Sequence, residues 1–462
     1  MQQWCAGPTR RDFLQVGALS ALGLTLPGLL EAQPLKAPGF GTAKRCILLF
    51  MSGGPPQNDT FDLKPDAPPE VRGEFRPIKT NVPGTEISEM FPLLARQADK
   101  YAIVRSVTHD SNIHTVGAHA MLTGNPYPKA AGGEIAASPA DFPEYGAVLT
   151  YLRRGDRRVP TFVTLPQKNT NTDGTVWPGQ GGGFLGPQYD SLLVTADYEK
   201  HKSDIASYLN RPFHTPALTL PNGMTAAHFD ARKRLLDALE RDRRQTEHEA
   251  SLGLLDRYRE KAYNLLSSSE TQRAFDLDAE PAAVRDRYGR HLFGQGCLLA
   301  RRLAAAGVPL ITLFWHPDGS TVSPSWDTHD KNFEHLKGHL MPPCDQGVAA
   351  LLEDLHQRGL LQETLVVWMG EFGRSPQINK AGGRDHWGAC QSILLAGGGI
   401  RGGQVYGRSD RNGAYPAENP VSPGDVGATI YSLLGVRPDT EIVDQTGRPH
   451  PLVRGEMLRA LL

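Results

Sequence analysis

The chain reads as an α/β protein with a mainly parallel central sheet held between helices, and two observations predict that class. Apolar, strand-like runs at residues 46–51, 102–107, 161–165, 309–314, 365–369 and 393–396 alternate with segments of helical pattern, the order that βαβ units produce. Several of these runs lead into acids, histidines and glycines: Gly53, Gly54, Asn58, Asp59 and Asp62 after the first; Trp326, Asp327, Thr328 and His329 after the run ending at Phe314; Glu371, Arg374, Arg384, Asp385 and His386 after the run ending at Met369. Open α/β sheets bind ligands outside the carboxyl ends of their strands, so these clusters are expected to converge on one cleft. Carboxylate oxygens and imidazole nitrogens gathered there make a candidate metal site.

Taken in chain order, the first element is an address. Thr9-Arg10-Arg11-Asp12-Phe13-Leu14 has the form of a twin-arginine export signal, and it runs into the uncharged residues 16–30. That stretch is shorter than the roughly 18 to 20 apolar residues of a membrane span. Residues 1–32 are therefore expected to be a signal peptide and 33–462 a single mature domain, passed through the twin-arginine machinery to the periplasm or beyond, with no stable membrane span. A formal net charge of −1, with 39% hydrophobic and 21% charged residues, fits a globular enzyme and excludes a nucleic-acid partner. Cys46, Cys297, Cys344 and Cys390 have no close Cys-x-x-Cys spacing, which argues against a zinc-thiolate or thioredoxin-like centre and leaves pairing open.

Residues 224–266 form a charged helical stretch in which Asp230 and Arg234, and Glu240 and Arg244, fall four apart, with leucines at 235, 236 and 239; this reads as a solvated helix face. Helical blocks at 282–306 and 342–360 deliver the chain to the strands at 309 and 365, as βαβ connections do. Residues 168–188 are rich in Gly, Asn, Thr and Pro without periodicity and predict a long loop, in which Trp177, Phe184 and the adjacent Tyr189 either anchor the loop or offer aromatic surface to a ligand. Gly397-x-Gly399-x-x-Gly402 imitates a dinucleotide fingerprint, but Val405-Tyr406-Gly407 follows where an amphipathic helix is required, so the segment reads as a glycine-rich loop.

The ordered series Gly53-Gly54-Pro55-Pro56-Gln57-Asn58-Asp59-Thr60-Phe61-Asp62, Arg105-Ser106-Val107-Thr108-His109, Ala300-Arg301-Arg302-Leu303, Trp326-Asp327-Thr328-His329, Gly370-Glu371-Phe372-Gly373-Arg374-Ser375-Pro376 and Gly383-Arg384-Asp385-His386-Trp387 resembles the DUF1501 family across nearly the whole mature chain. That family is of uncharacterised function and is grouped with the alkaline phosphatase and sulfatase superfamily. The resemblance implies an alkaline-phosphatase-like three-layer sandwich whose divalent metal, one ion or two, polarises a phosphate or sulfate ester of a small molecule or polysaccharide. A mixed Asp, Glu and His donor set leans toward zinc or manganese, with calcium or magnesium as the harder alternatives.

Carried over motif by motif, the resemblance implies Asp59 as a bridging or first ligand with Asp62 as its weaker competitor, Asp327 and His329 as a pair from the middle strand, Glu371 as the acid after a late strand, and His386 as a separate late histidine. Each has a structural competitor: turn stabilisation for Asp59 and Asp62, an ion pair with Arg374 or Arg384 for Glu371, and a supporting role for His386, with Asp385 as a residue that orients a ligand. Arg374 and Arg384 are candidates for gripping the anionic ester through paired guanidinium hydrogen bonds, or else for internal ion pairs, and Asn112 is a further anion contact. Sulfatases carry a modified cysteine or serine ahead of a Thr-Gly helix end. Here counting back from Thr123-Gly124 reaches His114, and the lack of Cys, Ser or Pro-Ser-Arg in 114–124 excludes formylglycine chemistry. His114 as nucleophile, Thr115 as a metal-activated alkoxide, and a metal-activated water all remain, alongside the reading that His109, His114 and His119 are part ligand and part packing. A catalytically silent metal-binding or scaffolding protein of the cell envelope is the alternative to a hydrolase.

Overall fold

The computed structural model describes residues 38–128, 132–152, 154, 159–196, 213–214, isolated positions between 225 and 238, 269–315 and 325–462. The expected signal peptide and most of the expected helix at 224–266 lie outside the described residues. Each of the expected strands is present. They are β1 Arg45–Phe50, β2 Tyr101–Val107, β3 Phe162–Leu165, β5 Leu310–Phe314, β6 Thr364–Met369 and β7 Gln391–Ala396, joined by two short edge strands, β4 Leu192–Leu193 and β8 Gln404–Tyr406. The sheet order is β8-β2-β7-β6-β1-β5-β3-β4, and only β7 runs against the others.

The central strands are apolar on both faces because both faces are covered. In β1, Cys46, Leu48 and Phe50 enter one core with residues of helices α1 His114–Thr123, α2 Tyr145–Tyr151 and α6 Pro423–Leu433. Ile47 and Leu49 enter the other, packed under α4 Leu292–Ala305 and α5 Met341–Gln357. The alternation along one strand thus divides the molecule into three layers.

The helical block expected over 282–306 is two helices, α3 Ala282–Tyr288 and α4, because Gly289 adopts φ 88° and His291 begins the next helix by accepting the Gly294 N–H on its Nδ1 at 3.0 Å. The expected loop at 168–188 contains one bridge, Thr170 to Val176, and a short 3₁₀ turn at Gly183–Leu185; a second turn, Pro187–Tyr189, begins at its end. The glycine-rich segment after β7 turns through Gly397, Gly398 and Gly399, all at positive φ, and enters edge strand β8. Among the described residues, no helix is long and apolar enough to cross a membrane.

One buried acid ties the α2 layer to the sheet. Glu144, the residue before α2, is 1% exposed and its Oε1 accepts the Thr312 hydroxyl of β5 at 2.8 Å. Burial pushes its carboxyl up to about 8, against the lowering effect of the Thr312 hydrogen bond and Lys168. The folded state therefore holds a proton that the unfolded chain releases, so stability is fully present below the ordinary carboxylate range and is lost as pH rises toward 8. Glu144→Gln, which keeps the hydrogen-bonding shape without the charge, should remove that dependence. Its stability relative to the native chain, measured by urea unfolding, is expected to rise between pH 5 and pH 8 by on the order of 1 kcal/mol per pH unit.

Candidate metal centre at the carboxyl rim of the sheet

The side chains that converge come from four places. His114 opens α1 beyond the end of β2, Asp327 and His329 follow β5, Glu371 follows β6, and His386 precedes β7. Because β7 is the one reversed strand, its amino end lies at the same rim as the carboxyl ends of the others. A two-residue hairpin pairing Gly373–Arg374 with His386–Trp387 sets Arg374 opposite His386 and fixes the approach of the late histidine.

Asp327 is the hub. His329 Nε2 and His386 Nε2 each lie 3.1 Å from its Oδ1, Arg374 donates to the same oxygen at 2.5 Å, and His114 Nε2 stands 3.3 Å from Oδ2. One donor atom each from His114, Asp327 and His386 fits within 4.8 Å of the others, and His329 Nε2 is 2.8 Å from His386 Nε2. Burial opposes charge on Asp327, but the three imidazoles and the Arg374 guanidinium hold its carboxyl far below the usual range. At His114 burial works against an imidazolium, yet the Asp327 and Glu371 carboxylates outweigh it and raise the group to about 9.

The other ring nitrogens explain what the cluster is built to do. His114 Nδ1 meets Glu371 Oε1 at 2.6 Å, His329 Nδ1 meets Asp385 Oδ1 at 2.9 Å, and His386 Nδ1 meets the Asn112 carbonyl at 2.8 Å. A carbonyl only accepts, and so does an ionised carboxylate, so in each neutral ring Nδ1 carries the proton and Nε2 presents its electron pair. Three such pairs aimed at one carboxylate repel one another unless a cation or protons lie between them. Nδ1 bound to an acceptor and Nε2 turned inward is the arrangement by which carboxylates and carbonyls orient metal-binding histidines, so these residues fit a divalent metal. Glu371 adds an orphan: it is fully buried, its Oε1 also accepts the Gly53 N–H at 2.8 Å, and its Oε2 has no hydrogen-bond partner among the described residues.

Close packing holds the loops at this spacing. Gly53 has φ 108°, and a Cβ there would lie 2.3 Å from the Asp327 nitrogen; one at Gly383 would lie 1.9 Å from the His329 carbonyl oxygen. The Phe372 ring sits 4.8 Å from both the His114 and His386 rings, and Trp177 from the long loop stacks on His114 at 5.5 Å and 23°. Of the three loop aromatics, Trp177 alone reaches the site in this way. Phe184 packs against Phe142 and His450, and Tyr189 against Tyr151.

Several expected roles are not supported by this geometry. Asp59 is fully buried and engaged elsewhere: Arg384 grips both of its oxygens at 2.7 and 3.0 Å and Asn332 donates at 2.9 Å, the structural alternative to a ligand role. Asp62 is likewise occupied by Ser409, Lys64 and Arg105. Arg384 and Arg374 are 0% exposed and present no face to a substrate. Arg384 spends its donors on Asp59 and the carbonyls of Val71, Ser375 and Pro376, and Arg374 on Asp327 and the carbonyls of Gly53, Gly54 and Arg384. Removing one partner of the Asp59–Arg384 pair would leave an uncompensated buried charge, at about 3–5 kcal/mol. Glu371 touches His114 as its orienting acceptor.

The nucleophile candidates fare in the same way. His114 has both ring nitrogens facing carboxylates. Thr115 is fully buried, its hydroxyl accepting the Ile135 N–H at 3.0 Å. Asn112 supports His386 through its carbonyl, while its side-chain Oδ1 accepts the Gly388 N–H at 2.7 Å. His109 and His119 are packing residues bonded to the Glu371 and Asn125 carbonyls. Glu134, which sequence reasoning passed over, caps α1 by accepting the N–H groups of His114 and Thr115 at 3.1 and 3.0 Å. Nothing in its local sequence marks it, because the segment has no periodicity.

A search of curated proteins gave no match to the sequence. Among solved structures the chain is similar to Ps i-CgsB in complex with k-i-k-neocarrahexaose, at TM-score 0.41 and 11% identity over 89% of this chain and 74% of the other. It is also similar to the PsFucS1 sulfatase from Pseudoalteromonas sp., at TM-score 0.36 and 14% identity over 93% and 72%. A third is the alkaline phosphatase of the Antarctic bacterium TAB5, at TM-score 0.37 and 10% identity over 86% and 99%. The sequence profile described as "Protein of unknown function (DUF1501)" matches residues 43–462, and the chain belongs to that family.

Proposed function

We propose that this protein is an exported, metal-dependent hydrolase of phosphate or sulfate esters. The observation that carries the proposal is the inward aim of three imidazole Nε2 atoms at the Asp327 carboxylate, each ring held from behind by an acceptor. His114, Asp327, His329 and His386 would hold the ion. Three nitrogens and a carboxylate favour zinc or manganese over calcium or magnesium. A bound divalent ion supplies Lewis-acid polarisation of a phosphoryl or sulfuryl oxygen. Glu371, Asp385 and the Asn112 carbonyl fix the imidazole tautomers, and Arg374 holds Asp327 charged from below. His329 and Asp385 are exposed while Glu371 is sealed in the floor, so the anionic ester enters from the His329 side. Among the described residues no side-chain nucleophile is free at the cluster, which favours water as the attacking group.

A second reading, a metal-bearing but catalytically silent protein of the cell envelope, gains support from the same absence of a free nucleophile among the described residues. The two separate on one preparation. The hydrolase reading expects about one zinc or manganese ion per chain together with turnover of aryl phosphates or aryl sulfates that vanishes on chelation; stoichiometric metal without turnover selects the silent protein. Glu371→Gln should weaken metal binding by about 10- to 100-fold, and Asp327→Ala or His386→Ala by more, measured by competition with a chromophoric chelator. For export, changing Arg10 and Arg11 together to lysine should leave the protein in the cytoplasmic fraction of a host with a twin-arginine system.

A further inference from the structure

Beside the metal cluster lies a cleft of about 1050 Å³ that contains none of the proposed ligands. It is lined by the turn carrying His109 to Ile113, by α1 at Val116 and Ala120, by Ser422–Gly424 at the start of α6, and by Arg454. Its size is that of a pocket for a drug-sized or larger molecule and exceeds what an inorganic anion or a single small ester fills.

Three features describe what it would take. The walls are flat and mostly apolar, with the rings of Tyr127, Phe142 and His450 supplemented by proline rings at 126, 128 and 451. These rings are anchored: Tyr127 stands edge-on to His119 at 5.1 Å, Phe142 edge-on to His450 at 5.6 Å, and His450 is bonded to Asp444 at 2.8 Å. Anchored rings and proline surfaces suit the C–H faces of sugar rings, which also need scattered polar partners. The second feature is charge. Arg454 is exposed in the cleft and its side chain has no partner among the described residues, while one carboxylate, Asp110, is among the described lining residues, on the turn that carries Asn112. The unpartnered guanidinium of Arg454 is the feature that attracts an anionic group. The third is continuity: Asn112 lines the cleft with its side chain, whose Nδ2 has no partner among the described residues, and its carbonyl holds His386 in the cluster.

We infer that this cleft seats an oligosaccharide that carries more than one anionic ester group, with Arg454 binding a charged group beyond the one presented to the metal cluster. The inference rests on the proposed ester chemistry for its orientation, but its test reads binding alone. The metal-loaded protein is titrated calorimetrically with dextran sulfate, dextran phosphate and plain dextran oligomers of equal length. The native chain should bind a charged dextran at least tenfold more tightly than plain dextran, and the stronger of the two charged forms identifies sulfate or phosphate as the group recognised. Arg454→Glu should weaken charged-dextran binding tenfold or more and Tyr127→Ala should weaken all forms, whereas Arg401→Glu, an exposed charge reversal outside the cleft, should leave binding unchanged. Equal binding by the native chain and Arg454→Glu, equal loss in Arg401→Glu, or no preference for charged over plain dextran would overturn the inference. A chain that binds as expected but hydrolyses no ester would overturn the hydrolase reading and leave this one standing.

Discussion

The geometry of the rim depends on one carboxylate. Asp327 draws His114, His329 and His386 from three separate segments and rests on Arg374, whose guanidinium is wholly buried. A buried guanidinium is tolerable only when all its donors are used, and those of Arg374 go to Asp327 and to the carbonyls of the first-strand turn and of Arg384. The same cation that charges the hub therefore also stitches together the loops after β1, β5 and β6. Beneath it, the Arg384–Asp59 pair ties the 384 loop to the turn after β1. The polar floor is a scaffold for the cluster of His114, Asp327, His329 and His386.

This division of labour explains what the sequence disclosed and what it hid. The six central strands were legible because a sheet covered on both faces must be apolar on both, which leaves continuous runs such as Ile47–Leu49 and Val366–Met369. The edge strands β4 and β8 were not: two and three residues of mixed burial carry no periodic signal. That Asp327, His329 and His386 come together could be read from their type and from the strands beside them. For Asp59, Arg374 and Arg384 the sequence leaves a structural and a site role open, because an acid and an arginine hundreds of residues apart show nothing of their pairing, and an arginine meant for an anion looks like one meant for backbone carbonyls. Only burial separates the two.

The reversed strand accounts for another part of the site. In a wholly parallel sheet a histidine placed before a strand would fall at the amino edge, away from the ligand cleft. Antiparallel pairing of β7 with β6 and β2 brings its first residues to the same rim, so that His386 reaches Asp327 Oδ1 beside His114, its ring 4.2 Å from that of His114. The departure from parallel order thus adds the segment before β7 to those that meet at Asp327. Trp177 and Phe372 then cover the imidazoles with apolar rings, which lowers the local dielectric and strengthens every charge interaction beneath them.

The glycines at 53 and 383 set the distance between these loops by what they lack. Backbone from the next loop occupies the volume that a side chain there would need. A single added methyl group, inert and bearing no donor, would act as a wedge and disperse the histidines. Two of the positions that this chain can least afford to vary therefore contribute no functional group at all, and a search for active residues by chemical type alone would pass them by.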